Sequence, residues 1–65
     1  MNQSNVQTYS AFIYEINDRY MADCSLLNLI SHGVTAQEAV ENLKSDINTA
    51  FQTSQIQINP VFERR

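Results

Sequence analysis

Residues 9–24 read YSAFIYEINDRYMADC, and this stretch decides the fold. Residues 9–16 are rich in aromatic and β-branched residues and read as a strand. Asn17-Asp18 follows, two residue types that accept the positive φ needed in a two-residue hairpin turn. Residues 19–24 are then the returning strand. With the turn fixed, the register follows: Ile16 faces Arg19, Tyr14 faces Met21 and Phe12 faces Asp23. Strand alternation then sorts the side chains onto two faces. One carries Tyr9, Ala11, Ile13, Tyr20, Ala22, Cys24 and, by continuation, Leu26. The other carries Phe12, Tyr14, Ile16 and Met21.

Outward from the hairpin, Ser25-Leu26 breaks the pattern, residues 27–32 read as a third strand, and Gly33, the only glycine in the chain, ends it. Thr35-Ala36-Gln37-Glu38 has the form of a capping box. The Thr35 hydroxyl can accept from the Glu38 N–H, and the Glu38 carboxylate can reach back to the Thr35 N–H. A helix over residues 36–51 follows, because Ala36, Ala39, Val40, Leu43, Ile47, Ala50 and Phe51 recur at three- and four-residue steps and make one apolar stripe. Glu38 and Glu41 lie near the positive end of its dipole. Residues 52–55 read as a loop. Ile56-Gln57-Ile58 alternates as a short fourth strand would, with Pro60 placing it at a sheet edge or ending it. The polar residues 1–8 are expected to be a disordered tail, which leaves 9–65 as one domain. The fold class is therefore α+β: a two-layer β-β-β-α(-β) sandwich, an antiparallel sheet covered by one helix.

The small apolar face of the hairpin suits the helix stripe. That leaves Phe12, Tyr14, Ile16 and Met21 on the side the helix does not cover, where an antiparallel sheet normally presents polar residues. The four form a candidate protein-contact surface. The alternative is that Ile56, Ile58, Val61 and Phe62 fold back over them. A chain of 65 residues buries only about 60% of its unfolded surface. Its single cysteine and single histidine offer neither a disulfide nor a zinc site. Pairing with a second copy into a homodimer or a higher oligomer, or a bound partner, is the remaining source of stability.

Charge narrows the partners. Seven Asp/Glu stand against four Lys/Arg, and two of the basic residues are Arg64 and Arg65 at the C-terminus. Residues 1–62 hold six acids and two bases, a net of −4. Such a body repels phosphate, so direct binding of nucleic acid is not expected, whereas a basic protein is attracted. No apolar run approaches the length of about 20 residues that spans a bilayer. The N-terminus has neither the basic nor the apolar region of a signal peptide. A lone reduced thiol suits the cytoplasm. A single glycine excludes a phosphate-cradling loop, so no cofactor is expected. Cys24 points inward and reads as a small core hydrophobe. His32, at a strand end, has no acid or cysteine at a catalytic spacing, and Asp23 and Asp46 have no spacing that demands a metal. No catalytic or metal-binding residue is assigned.

The run Tyr20-Met21-Ala22-Asp23-Cys24, then Leu26/Leu27, then Ser31-His32-Gly33-Val34-Thr35-Ala36-Gln37-Glu38-Ala39 and Asn42-Leu43, resembles the HicB-like antitoxin domain. That family shows an aromatic-x-Ala-x-Cys strand, a leucine, a G-x-T-x-x-E-A helix start and then N-hydrophobic. The match covers about residues 9–51. Ser25 stands where the family often has Pro, and Asn28 or Leu29 where it often has Gly. The resemblance implies a partial RNase H-like fold of β-β-β-α-β order. It also implies a non-catalytic role in a toxin–antitoxin system, binding and blocking a small basic ribonuclease toxin. The C-terminal DNA-binding domain of many members has no counterpart in these residues, and RNase H-type acids are not evident. The alternatives are a stand-alone HicB-like inhibitor or scaffold, from a mobile element or phage, acting on a different host protein, and a divergent metal-dependent nuclease.

Overall fold

A computed structural model describes residues 6–52 and 55–62 of the chain. Strands β1 (Gln7–Ile16), β2 (Arg19–Cys24) and β3 (Leu29–Gly33) form an antiparallel meander, helix α1 (Ala36–Phe51) follows, and β4 (Ile56–Phe62) completes the sheet. The strand order is β3-β2-β1-β4. β4 runs parallel to β1, pairing Gln7 with Ile56 through to Ile13 with Phe62, so the four-stranded sheet is mixed. The expected two-layer α+β arrangement is what the chain forms. β1 begins at Gln7, two residues before its expected start. Of the remainder of the expected tail, Val6 is exposed and residues 1–5 lie outside the described residues, as do residues 53–54 of the expected loop and residues 63–65 of the domain.

The hairpin turns where its sequence indicates. Asn17 and Asp18 both take positive φ, 52° and 63°, the type I′ geometry whose twist matches that of the flanking strands. The register is the expected one, with Ile16 opposite Arg19, Tyr14 opposite Met21 and Phe12 opposite Asp23. The next connection differs from expectation. Residues 25–28 form a four-residue turn held by Leu27 N–H to Cys24 O at 3.2 Å and Asn28 N–H to Ser25 O at 3.1 Å. Asn28 supplies the left-handed residue, φ 59°. The turn delays β3 to Leu29. It also corrects the placement of Leu26, which is 79% exposed, while its neighbour Leu27 packs against the core.

The core lies between the helix and one sheet face. Ala11, Ile13, Ala22 and Cys24 from the hairpin meet Ala39, Leu43 and Ile47 from α1, with Ile56 from β4. Tyr9, Tyr20, Ala36, Val40 and Ile58 pack around them. The helix stripe stops one turn short of expectation: Ala50 and Phe51 are exposed, because the helix end extends beyond the sheet residues able to cover it. Gln52 closes α1 in the left-handed conformation. Gln7 N–H then donates to Gln55 O at 3.0 Å, which sets the start of β4 beside the start of β1.

At the other end of α1, Thr35 is the N-cap, and its Oγ1 accepts from the Glu38 N–H at 3.1 Å. Half of the reciprocal bond is displaced by one residue. Glu38 Oε1 accepts from the Val34 N–H, at 2.6 Å, and not from the Thr35 N–H. Gly33 explains how the helix can begin so close to β3. A Cβ on it would lie 2.7 Å from the Ala39 backbone N and 2.8 Å from Glu38 Cβ. Two side chains bind helix to strand further along. Ser31, buried on β3, donates its hydroxyl to Asp46, and Asn42 Nδ2 donates to the His32 carbonyl at 2.8 Å.

Candidate functional site: an open sheet face and a groove beside the helix

The sheet face turned away from α1 is covered by none of the described residues. β4 does not fold back across it; it joins the sheet edge, and its Ile56 and Ile58 point to the helix side with the core. The cross-strand register lays the open face out in rows. Ile30, Asp23, Phe12 and Val61 form one row, His32, Met21 and Tyr14 the next, and Arg19 and Ile16 the last. The four expected contact residues are thus brought together, with Met21 and Tyr14 half-buried at the centre and Phe12 and Ile16 exposed along β1. Sequence reasoning missed Ile30 and Val61, both exposed. Ile30 could have been found by extending the alternation into β3. Val61 could not, because its face depends on the pairing of β4 with β1. Towards the start of β1 the face turns polar, with Thr8 and Ser10 beside Gln57 and Asn59.

The polar residues of this face are sparse. Arg19 Nη1 approaches His32 Nδ1 at 3.4 Å, which requires an unprotonated Nδ1 as acceptor. His32 is exposed and has no acid beside it in this contact. Asp23 and Asp46, the pair weighed for a metal, lie on opposite sides of the sheet: Asp23 is in the open-face rows, and Asp46 bonds Ser31 on the helix side. Cys24 is fully buried, as its place on the inner face requires.

On the helix side a second surface arises from the way α1 sits. The helix packs mainly over β3, less against β2 and β4, and least against β1. A groove of about 390 Å³ is left between its first half and the end of β4. Ala36, Gln37, Val40, Glu41, Pro60 and Phe62 line it, and its walls are almost wholly apolar. Pro60 lies within β4, which continues to Phe62 instead of ending there. An edge strand tolerates a residue that has no N–H to donate. Phe62 and Ile13 are register partners, so Phe62 sits at the end of the sheet where α1 begins, 64% exposed.

Acidic charge gathers at the same end. Glu15 pairs with Tyr20, which pairs with Gly33, so one row runs from Glu15 to the start of the helix. Asp18 is in the adjoining hairpin turn, and Glu38 and Glu41 are in the first two turns of α1. The groove was invisible to sequence reasoning because it needs the parallel placement of β4. The acids were visible, but as unplaced charges. No helix among the described residues is long and apolar enough to cross a membrane. Comparison of the chain with protein-family models, with curated proteins and with solved structures finds no match in any of the three.

Proposed function

We propose that this chain is a non-catalytic protein-binding module of the HicB antitoxin kind, which sequesters a small basic protein in the cytoplasm. The observation that carries the reading is the apolar groove between α1 and β4, placed at the end of the molecule where Glu15, Asp18, Glu38 and Glu41 gather. An apolar slot takes an anchoring side chain of a partner, and the surrounding carboxylates favour a partner rich in Lys and Arg. In the family that the sequence resembles, that partner is a small basic ribonuclease toxin. The β-β-β-α-β order agrees with the fold which that resemblance implies. Thr35 and Glu38 contribute by fixing where α1 starts, and hence the wall of the groove.

The reading is tested by co-expressing the chain with any short basic protein that a neighbouring reading frame encodes; the absence of such a frame would favour the stand-alone inhibitor. The basic protein alone is expected to arrest growth, and the chain to relieve the arrest and co-purify with it. Raising the salt is expected to weaken the complex, since exposed charges are screened. Glu41→Lys, which reverses charge on the groove wall, is expected to abolish relief while leaving the fold intact. Growth arrest that the chain does not relieve would contradict the antitoxin reading. Capture of a neutral or acidic host protein in its place would favour the stand-alone inhibitor.

A further inference from the structure

We infer that the open sheet face pairs with the same face of a second copy, the two sheets stacked about a two-fold axis that crosses the strands at the Met21–Tyr14 row. The face is complementary to itself. β2 presents Asp23, Met21 and Arg19 in order along its open side, and β1 presents Phe12, Tyr14 and Ile16 beside them. A two-fold axis lying between the sheets and perpendicular to the strands reverses the order along each strand while keeping each strand over its own copy. Met21 then stands over Met21 and Tyr14 over Tyr14. Phe12 stands over Ile16, and Arg19 over Asp23 of the partner subunit, twice by symmetry. Arg19 and Asp23 are the only Asp, Glu, Lys or Arg residues in these rows, and they are of opposite sign. Among the described residues of these rows, the arrangement therefore sets no like-charged Asp, Glu, Lys or Arg side chains face to face. An isologous contact of this kind needs only one self-complementary surface.

The described acids apart from Asp23 lie off this face: Glu15 on the opposite face of β1, Asp18 in the hairpin turn, and Glu38, Glu41 and Asp46 on α1. Self-association therefore escapes the repulsion that a chain of net charge −3 would meet on its acidic side. A basic partner finds no such concentration of carboxylates on the open face. Four strands about 4.8 Å apart and a patch five residues long span roughly 300 Å² in projection. Two copies thus bury roughly 600 Å² in projection, below the roughly 1,000 Å² that a stable interface clears, so the pairing is expected to be of the weak, transient class. Stacked sheets lie about 10 Å apart with their side chains interdigitated, a gap that an arginine side chain can bridge.

Sedimentation equilibrium on the purified chain tests the pairing without any partner, so its outcome is independent of the antitoxin reading. The wild type is expected to show a weak monomer–dimer equilibrium, with dimer present at several hundred micromolar. Arg19→Asp and Asp23→Arg, each alone, set like charges face to face at two symmetry-related points. Each is expected to weaken dimerisation at least about tenfold. The double variant carrying both substitutions restores opposite charges and is expected to recover the wild-type constant to within about threefold. Circular dichroism of all four proteins confirms that the substitutions leave the fold in place. A wild type that remains monomeric at several hundred micromolar overturns the inference. So does a dimer that the single substitutions leave unchanged, or one that the double variant fails to restore.

Discussion

Replacing Gly33 by alanine sets two effects of opposite sign against each other, and the structure decides between them. Gly33 does not have positive φ, so alanine meets no conformational penalty there. On chain entropy alone it would stabilise the fold by about 0.4–1 kcal/mol. The added methyl, however, would lie 2.7 Å from the Ala39 backbone N, 2.8 Å from Glu38 Cβ and 3.0 Å from the Glu38 backbone carbon. Two of those three atoms are main chain in the first turn of α1, so no rotamer change relieves the contact. The helix must move away from β3. Overpacking of this kind costs typically about 1–3 kcal/mol, which outweighs the entropic gain and leaves a net loss of roughly 1–2 kcal/mol. Against a total stability of roughly 3–10 kcal/mol for a domain of this size, that is a large fraction. It corresponds to a fall in Tm of about 5–15 °C. Thermal and urea denaturation followed by circular dichroism measure it. An unchanged or higher Tm would refute the reasoning, because it would mean that α1 does not approach β3 as closely as the geometry requires.

Other substitutions test the remaining contacts. Thr35→Ala removes the acceptor for the Glu38 N–H and is expected to cost about 1 kcal/mol; an unaltered denaturation curve would show that the helix is not capped there. Asp46→Ala is expected to cost more than Ser31→Ala, because it leaves the buried Ser31 hydroxyl unpaired, a penalty of about 1–3 kcal/mol, whereas the exposed Asp46 carboxylate left by Ser31→Ala returns to water. The reverse order, read from urea midpoints, would contradict the bond. Gln52→Gly relieves a left-handed residue at the helix C-cap, φ 54°, and is expected to raise stability by about 1 kcal/mol; a lowered Tm would contradict that cap geometry.

Most of the fold was legible because its local signals agree. Asn17-Asp18 fixed the hairpin, and the hairpin fixed the faces of ten residues, so that Ala11, Ile13, Ala22 and Cys24 could be placed in the core before any long-range contact was known. Thr35 and Glu38 marked the helix start. The errors arise where one residue decides a face without a periodic neighbourhood to support it. Leu26 and Leu27 are adjacent and equally apolar, and only the turn closed by Asn28 sends one outward and the other inward. Ala50 and Phe51 continue the helical period but outrun the sheet, which periodicity cannot sense. β4 is the largest gap. Its alternation was visible, yet its parallel pairing with β1 is a contact across more than forty residues of chain with no local signature. The groove depends on that pairing, as does the position of Val61 on the open face, so half of the candidate site lay beyond reach of the sequence.

The central claim is that a basic partner is held at the groove between α1 and β4. Amide-resolved NMR of the isotopically labelled chain, titrated with a short basic protein whose growth arrest it relieves in co-expression, tests this directly. The account expects the signals of Gln37, Val40, Glu41 and Phe62 to shift with saturable dependence on partner, while those of Met21 and Ile30 stay in place. Shifts confined to Phe12, Tyr14, Met21 and Ile30, with the groove residues unmoved, would contradict it.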